Sequence, residues 1–218
     1  MLGDIFQEVD EELRKDKFEK LWKHYGRYSV GFALICVISV GVWQGWKSYS
    51  EAQRLSSSKQ YEAALNFHAS GKNKDALIVL DGLGKSGFGS YKLLASFKKA
   101  AILGNSGDIE GALETYEKLI ENSKNHELFR QAAVLFSVRY KLKLPSVDVK
   151  TLIKDLKPIR KSDGVWKFSA DETVGILLMS AGKISEARKI FQDLAENLKA
   201  PSRLRGRATQ VLTAIGQQ

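Results

Sequence analysis

The chain holds one cysteine and three histidines among 218 residues. A lone thiol, Cys36, cannot form an intramolecular disulfide, so no covalent staple supports the fold. His24, His68 and His126 stand far apart, without the short spacings of a zinc site. No nucleophile elbow and no cysteine pair occurs, and no paired carboxylates stand out from the surface charge. The run Gly82-Leu83-Gly84-Lys85-Ser86-Gly87-Phe88-Gly89 contains a Gly-Lys-Ser. The first glycine of a phosphate loop would fall at Val79, and no strand precedes it, so the run reads as a flexible turn. These absences leave no catalytic residue, no metal site and no cofactor to expect. The chain reads as a non-enzyme without a small-molecule substrate.

Charge is missing from one place only. Between Arg27 and Lys47 lie nineteen uncharged residues, Tyr28 to Trp46. At about 1.5 Å per residue, a helix of that length just covers a hydrocarbon layer of about 30 Å. Tyr28 stands at one end and Trp43, Trp46 and Tyr49 at the other, where interfacial aromatics belong. A cleaved signal is a poor fit, because the preceding segment is rich in acids and no A-x-A site follows. Six basic residues, Arg14, Lys15, Lys17, Lys20, Lys23 and Arg27, precede the span, and only Lys47, Arg54 and Lys59 follow closely. That bias predicts a cytoplasmic N-terminus and a domain on the far side, the periplasm of a bacterium. Four acid-then-base pairs at i,i+4 from Asp10–Arg14 to Glu19–Lys23 predict a helical tail, with an apolar stripe from Phe6 to Tyr25.

The net charge of +9 falls almost wholly beyond the span. Such a surface is either simply solvated or drawn to anionic headgroups or acidic polypeptide. No clustered basic helix and no recognition motif is apparent, so nucleic acid is not an expected partner.

Past the span the chain repeats itself. A glycine, then an alanine five residues on, then apolar residues four and seven later recurs three times. The sets are Gly71, Ala76, Leu80, Leu83; Gly107, Ala112, Tyr116, Leu119; and Gly182, Ala187, Phe191, Leu194. The first two alanines are 36 residues apart and the next gap is 75, so a degenerate unit belongs midway, where Val149, Ile153 and Leu156 stand and Leu144 replaces the glycine. Twelve residues before each anchor comes a small residue, Ala64, Ala100, Ser137 or Gly175; nine before comes a large one, Phe67, Leu103, Tyr140 or Leu178. Small residues let two helices approach, and the glycine turns the chain between them. One hairpin cannot bury its apolar face, so hairpins must stack. The stripe Leu204, Ala208, Val211, Leu212 and Ile215 after Pro201 predicts a terminal capping helix. The stretch Lys157–Lys167 reads as the longest irregular connection, with Trp166 plugging the seam between units three and four.

The pattern resembles the tetratricopeptide repeat over roughly residues 57–195, which has small residues at its eighth and twentieth positions. It departs at the fourth position, where Gln60, Ser96, Ala133 and Asp171 replace a tryptophan. The expected fold is all-α: a single N-terminal transmembrane helix, then an α-solenoid of about four hairpins and a capping helix. Residues 1–27 form the tail, 28–46 the span, 47–56 a linker and 57–218 the repeat domain. The first helices of the hairpins would line a concave face carrying Tyr61, Leu65, Phe97, Ala101, Val134, Val138 and Ile176, suited to an extended peptide or a partner helix. Each of these is equally at home in the core between hairpins.

Three further stretches carry a resemblance to the YfgM-like ancillary subunits of the SecYEG translocon. They are Gly45-Trp46-Lys47-Ser48-Tyr49 at the exit of the span, Gly164-Val165-Trp166-Lys167 before the fourth unit, and Ala200-Pro201-Ser202-Arg203-Leu204-Arg205-Gly206-Arg207-Ala208 near the end. The long acidic tail of residues 4–23 looks more like the alphaproteobacterial branch. The resemblance implies an inner-membrane protein whose repeat domain lies in the periplasm. It also implies association with the Sec channel and with periplasmic chaperones. An envelope-assembly or cell-division scaffold is the alternative.

Overall fold

The computed structural model describes the backbone of residues 2–123 and 126–216, and side chains from Trp22 onward except at 25, 27, 29 and 33. The acid–base pairs of the tail and most of its apolar stripe therefore lie outside the described side chains. Nine helices and no strand occupy the described residues: α1 (Leu2–Ala69), α2 (Asn73–Ser86), α3 (Tyr91–Asn105), α4 (Ile109–Asn122), α5 (Glu127–Lys141), α6 (Val149–Lys161), α7 (Lys167–Ser180), α8 (Ile184–Glu196) and α9 (Ser202–Gly216). The chain forms two compact units, Met1–Leu55 and Ser56–Gln218.

The first unit is the leading part of α1. Its helix is long and apolar enough to cross a membrane by length and composition. Val30, Phe32, Leu34, Ile35, Val37, Ile38, Val40 and Val42 are each at least 50% exposed, apolar all round rather than along one stripe. At the far end Lys47 Nζ lies 5.8 Å from the centre of the Trp43 ring, and the Trp46 and Tyr49 rings are 6.2 Å apart.

The second unit is a stack of helical hairpins. The end of α1 shares a hydrophobic cluster with α2, α3 pairs with α4, α5 with α6 and α7 with α8, and α9 closes the array against α8 and α7. Three hairpins turn at the repeated glycines, which take positive φ: 75° at Gly71, 95° at Gly107 and 73° at Gly182. In each, the amide just past the glycine reaches back to the large apolar residue of the repeat. Lys72 N donates to Phe67 O, Asp108 N to Leu103 O and Lys183 N to Leu178 O, at 2.9 to 3.0 Å. These bonds satisfy carbonyls that the helix end would otherwise orphan. Leu144 cannot supply a left-handed residue cheaply. The third hairpin instead closes through the longer link of residues 142–148, before Asp148 caps α6 by accepting from Lys150 N at 3.0 Å.

Two expectations change. The longest irregular link is 142–148, not Lys157–Lys167, because α6 continues through Pro158 to Lys161. Pro158 stands near the end of the helix, where only one helical hydrogen bond is lost. The glycine-rich run is likewise helical through Ser86; only Gly87 to Ser90 turns, with Gly89 at φ 59°.

Burial follows the repeat. Ala64, Ala76, Ala100, Ala112 and Ala187 are fully buried, and Tyr116 and Phe191 are nearly so. Gly175 lets Phe191 approach so closely that a β-carbon there would stand 2.7 Å from Phe191 Cε2. Gly104 serves Tyr140 in the same way, its helix face lying against the phenol ring. The interior falls into three clusters. One joins the end of α1 to α2 and α3, a second centres on Tyr116 between α3, α4 and α5, and the largest binds α5 to α9 together.

Candidate protein-binding groove

The first helices of successive hairpins lie side by side, so residues about one repeat apart meet. Arg139 on α5, Glu172 on α7 and Arg207 on α9 do so. The Glu172 side chain is only 8% exposed. Arg207 grips it with Nε to Oε1 at 2.6 Å and Nη2 to Oε2 at 2.9 Å, the paired geometry that suits a carboxylate. Arg139 Nη2 donates to Oε2 at 3.2 Å, and its Nε donates to Thr173 Oγ1 at 3.1 Å. The hydrogen bond from Arg207 to Glu172 holds the guanidinium above its ordinary pKa. Each guanidinium has five N–H donors and directs two of them to α7.

Around this cluster α5, α7 and α9 frame a groove of about 720 Å³, whose apolar walls include Leu142, Ile176, Val211 and Ala214. Phe191 forms part of its floor. An apolar channel with excess positive charge suits a polypeptide segment that pairs hydrophobic side chains with a carboxylate. No group of residues able to hold a metal ion occurs among the described residues. The residues that line the groove include no paired nucleophile and base.

Of the seven residues read as a concave face, Ile176 lines this groove and is 40% exposed. Val138 is buried in the largest cluster and Val134 packs against it. Phe97 belongs to the cluster around Tyr116, its ring about 6 Å from those of Tyr116, Phe129 and Phe136. Tyr61 packs on the first cluster beside Tyr91. Leu65 and Ala101 are half-buried, and Ala101 O accepts from the Tyr140 hydroxyl at 3.4 Å. Trp166 sits at the start of α7, where its Nε1 donates to Leu128 O of α5 at 2.9 Å and its ring meets Phe136 edge-on. That contact joins units three and four.

Sequence reasoning missed Arg139, Glu172 and Arg207. The sequence carries no clear signal for them, because Glu172 stands on α7 among Asp171, Thr173 and other polar residues and its burial shows only once the helices stack.

A family model described as a tetratricopeptide repeat-like domain matches residues 19–214. The chain belongs to that family. No curated protein sequence matches the chain. Among solved structures, a Podosopora anserina protein described as a putative kinesin light chain with nearly identical TPR-like repeats is similar, at 16% identity and TM-score 0.56 in a substituted form. A second structure under the same description aligns at 15% identity and TM-score 0.55, and both alignments cover 76% of this chain and 86% of that one. At such identity the likeness concerns the fold. A tetratricopeptide-like array is a scaffold for protein–protein interaction, and its stacked hairpins with the closing helix α9 account for all the described helices from the end of α1 onward.

Proposed function

We propose that the chain is a membrane-anchored scaffold that holds a polypeptide-binding array beside the bacterial inner membrane, associated with the Sec translocon and periplasmic chaperones. Residues 1–27 are its cytoplasmic tail, 28–46 its span, 47–56 the juxtamembrane segment and 57–218 the periplasmic domain. It is not an enzyme. The carrying observation is the conjunction, in one chain, of an exposed apolar helix with a tetratricopeptide-like array whose groove pairs apolar walls with Arg139 and Arg207. The excess of basic residues before the span supports the orientation. The translocon association rests on the resemblance of residues 45–49, 164–167 and 200–208 to the YfgM-like subunits.

A photo-crosslinker placed at Ile176 in the full-length protein, in native membranes, tests the partner. Recovery of Sec subunits or periplasmic chaperones is the expected result; their absence above background sinks the translocon reading and leaves the envelope-assembly alternative. A phosphatase fused after Gln218 is active if the domain is periplasmic and inactive if it is not.

A further inference from the structure

The second helices of hairpins two and three carry opposite charge in matching rows. On α6, Lys150, Lys154, Lys157 and Lys161 stand at i, i+4, i+7 and i+11, which keeps all four on one helix face. Leu152, Leu156 and Ile159 bury the other side, so the row points away from the core. All four lysines are exposed, and none makes an ion pair among the described residues. The sequence reading, which found no basic helix, missed this cluster because the lysines are interleaved with the buried leucines.

On α4, Glu110, Glu114, Glu117 and Glu121 repeat the same spacing, opposite the buried Ala112, Tyr116 and Leu119. All four are exposed, and only Glu114 has an ion-pair partner among the described residues, Lys118 on its own helix. Both α4 and α6 pack on α5, and because each hairpin reverses the chain they run in the same direction. Among the described residues, no ion pair joins one row to the other within the chain.

We propose that this outer face binds a second copy of the chain, α4 of each copy lying against α6 of the other. A two-fold axis parallel to the helices and midway between them places each lysine row over a glutamate row, and it does so twice. Such a contact is isologous and closes on itself. Each row is about 16 Å long at the rise of an α-helix, so the spacings match along the whole contact. A flat anionic surface is a poorer occupant, because the glutamates of α4 would face it beside the lysines. Nucleic acid meets the same objection. Exposed pairs are individually weak and screened by salt, so the dimer forms at low ionic strength and comes apart as it rises.

Charge exchange in the full-length protein, held in mild detergent and followed by sedimentation and light scattering, tests this. At about 0.1 mM protein the chain self-associates in about 0.05 M salt, and the association weakens at least about tenfold in about 1 M salt, where the screening length is about 3 Å. Replacing the four α6 lysines by glutamate gives a monomer, and replacing the four α4 glutamates by lysine gives another. Mixing the two variants restores a one-to-one dimer, because each acidic row again meets a basic one. Circular dichroism confirms that both variants are folded, as expected for exposed positions. A chain that stays monomeric at low salt overturns the proposal. So does a dimer insensitive to salt, which the apolar helix of the first unit would explain, or two variants that fail to pair on mixing. Monomeric protein that binds phosphatidylglycerol vesicles through the lysine row assigns the row to lipid and overturns the proposal as well.

Discussion

Gly175 on α7 lies against the outer end of the Phe191 ring on α8, so that a β-carbon at 175 would stand 2.7 Å from Phe191 Cε2. Phe191 is 1% exposed and cannot swing clear into solvent. Gly175→Ala therefore destabilises the array by about 1–3 kcal/mol through overpacking, despite the higher helix propensity of alanine. Gly206→Ala on α9, where nothing lies within 4 Å of the new atom, is the control and is neutral or stabilising by up to about 1 kcal/mol. Urea denaturation of the two variants measures both.

The ladder of Arg139, Glu172 and Arg207 predicts an asymmetry. Glu172→Ala leaves two guanidiniums without their shared acceptor, whereas Arg207→Ala leaves Glu172 still bonded to Arg139. The first costs about 2–3 kcal/mol and the second about 1 kcal/mol, since Arg207 is half-exposed and partly screened by water. Equal losses in denaturant titrations of the two variants would contradict the arrangement.

Acid titrates a second contact. Hydrogen bonds from Lys85 and then Lys99 hold the Asp81 carboxyl down to about 2. A carboxylate whose folded pKa lies below its unfolded value of about 3.9 adds stability above that pH and loses it as the pH falls toward about 2. Asp81 is partly exposed, so the contribution is under about 1 kcal/mol. Asp81→Asn should lower the melting temperature near neutral pH and converge with the parent as the pH falls toward about 2.

Alkali acts on Tyr116. Burial, and secondarily the neighbouring Tyr140 phenol, push its ionisation well above the ordinary value. The neutral phenol is thus favoured in the folded chain, and its contribution is complete below pH about 10 and lost as pH rises beyond. Melting curves between pH about 8 and about 11 should show a steep alkaline loss that Tyr116→Phe reduces.

Trp166→Phe keeps a ring against Phe136 but removes the donor to Leu128 O. A loss of about 1 kcal/mol, seen in urea titration, is expected from the missing hydrogen bond.

Most of the array is legible in the chain because its turns are made by glycine. Gly71, Gly107 and Gly182 all adopt the left-handed conformation that the repeat spacing requires, and the alanines five residues on are fully buried. Where the glycine is missing, the reading loses its marker. Leu144 gave no sign that the link would run from 142 to 148, and Pro158 looked like a break although it lies where a helix tolerates it. The groove was harder to read. Arg139, Glu172 and Arg207 are ordinary surface residues by type, and only the stacking of α5, α7 and α9 makes them one cluster. The tryptophan seam was visible because Trp166 stands in the link between units three and four, yet its hydrogen-bond partner, a backbone carbonyl, leaves no trace in sequence.

The three separate hydrophobic clusters bear on how the protein is made. Ribosomes deliver α1 to α4 before α5 to α9, and of the three clusters these early helices complete only the first, because the second also needs Ala133 of α5 and the largest spans α5 to α9. Repeat arrays gain stability by adding neighbours, so the early hairpins wait, partly open, for the late ones to arrive. In this array α9 therefore acts as a latch on the largest cluster, and nascent chains from which it has yet to emerge are the forms most open to proteases and holding chaperones.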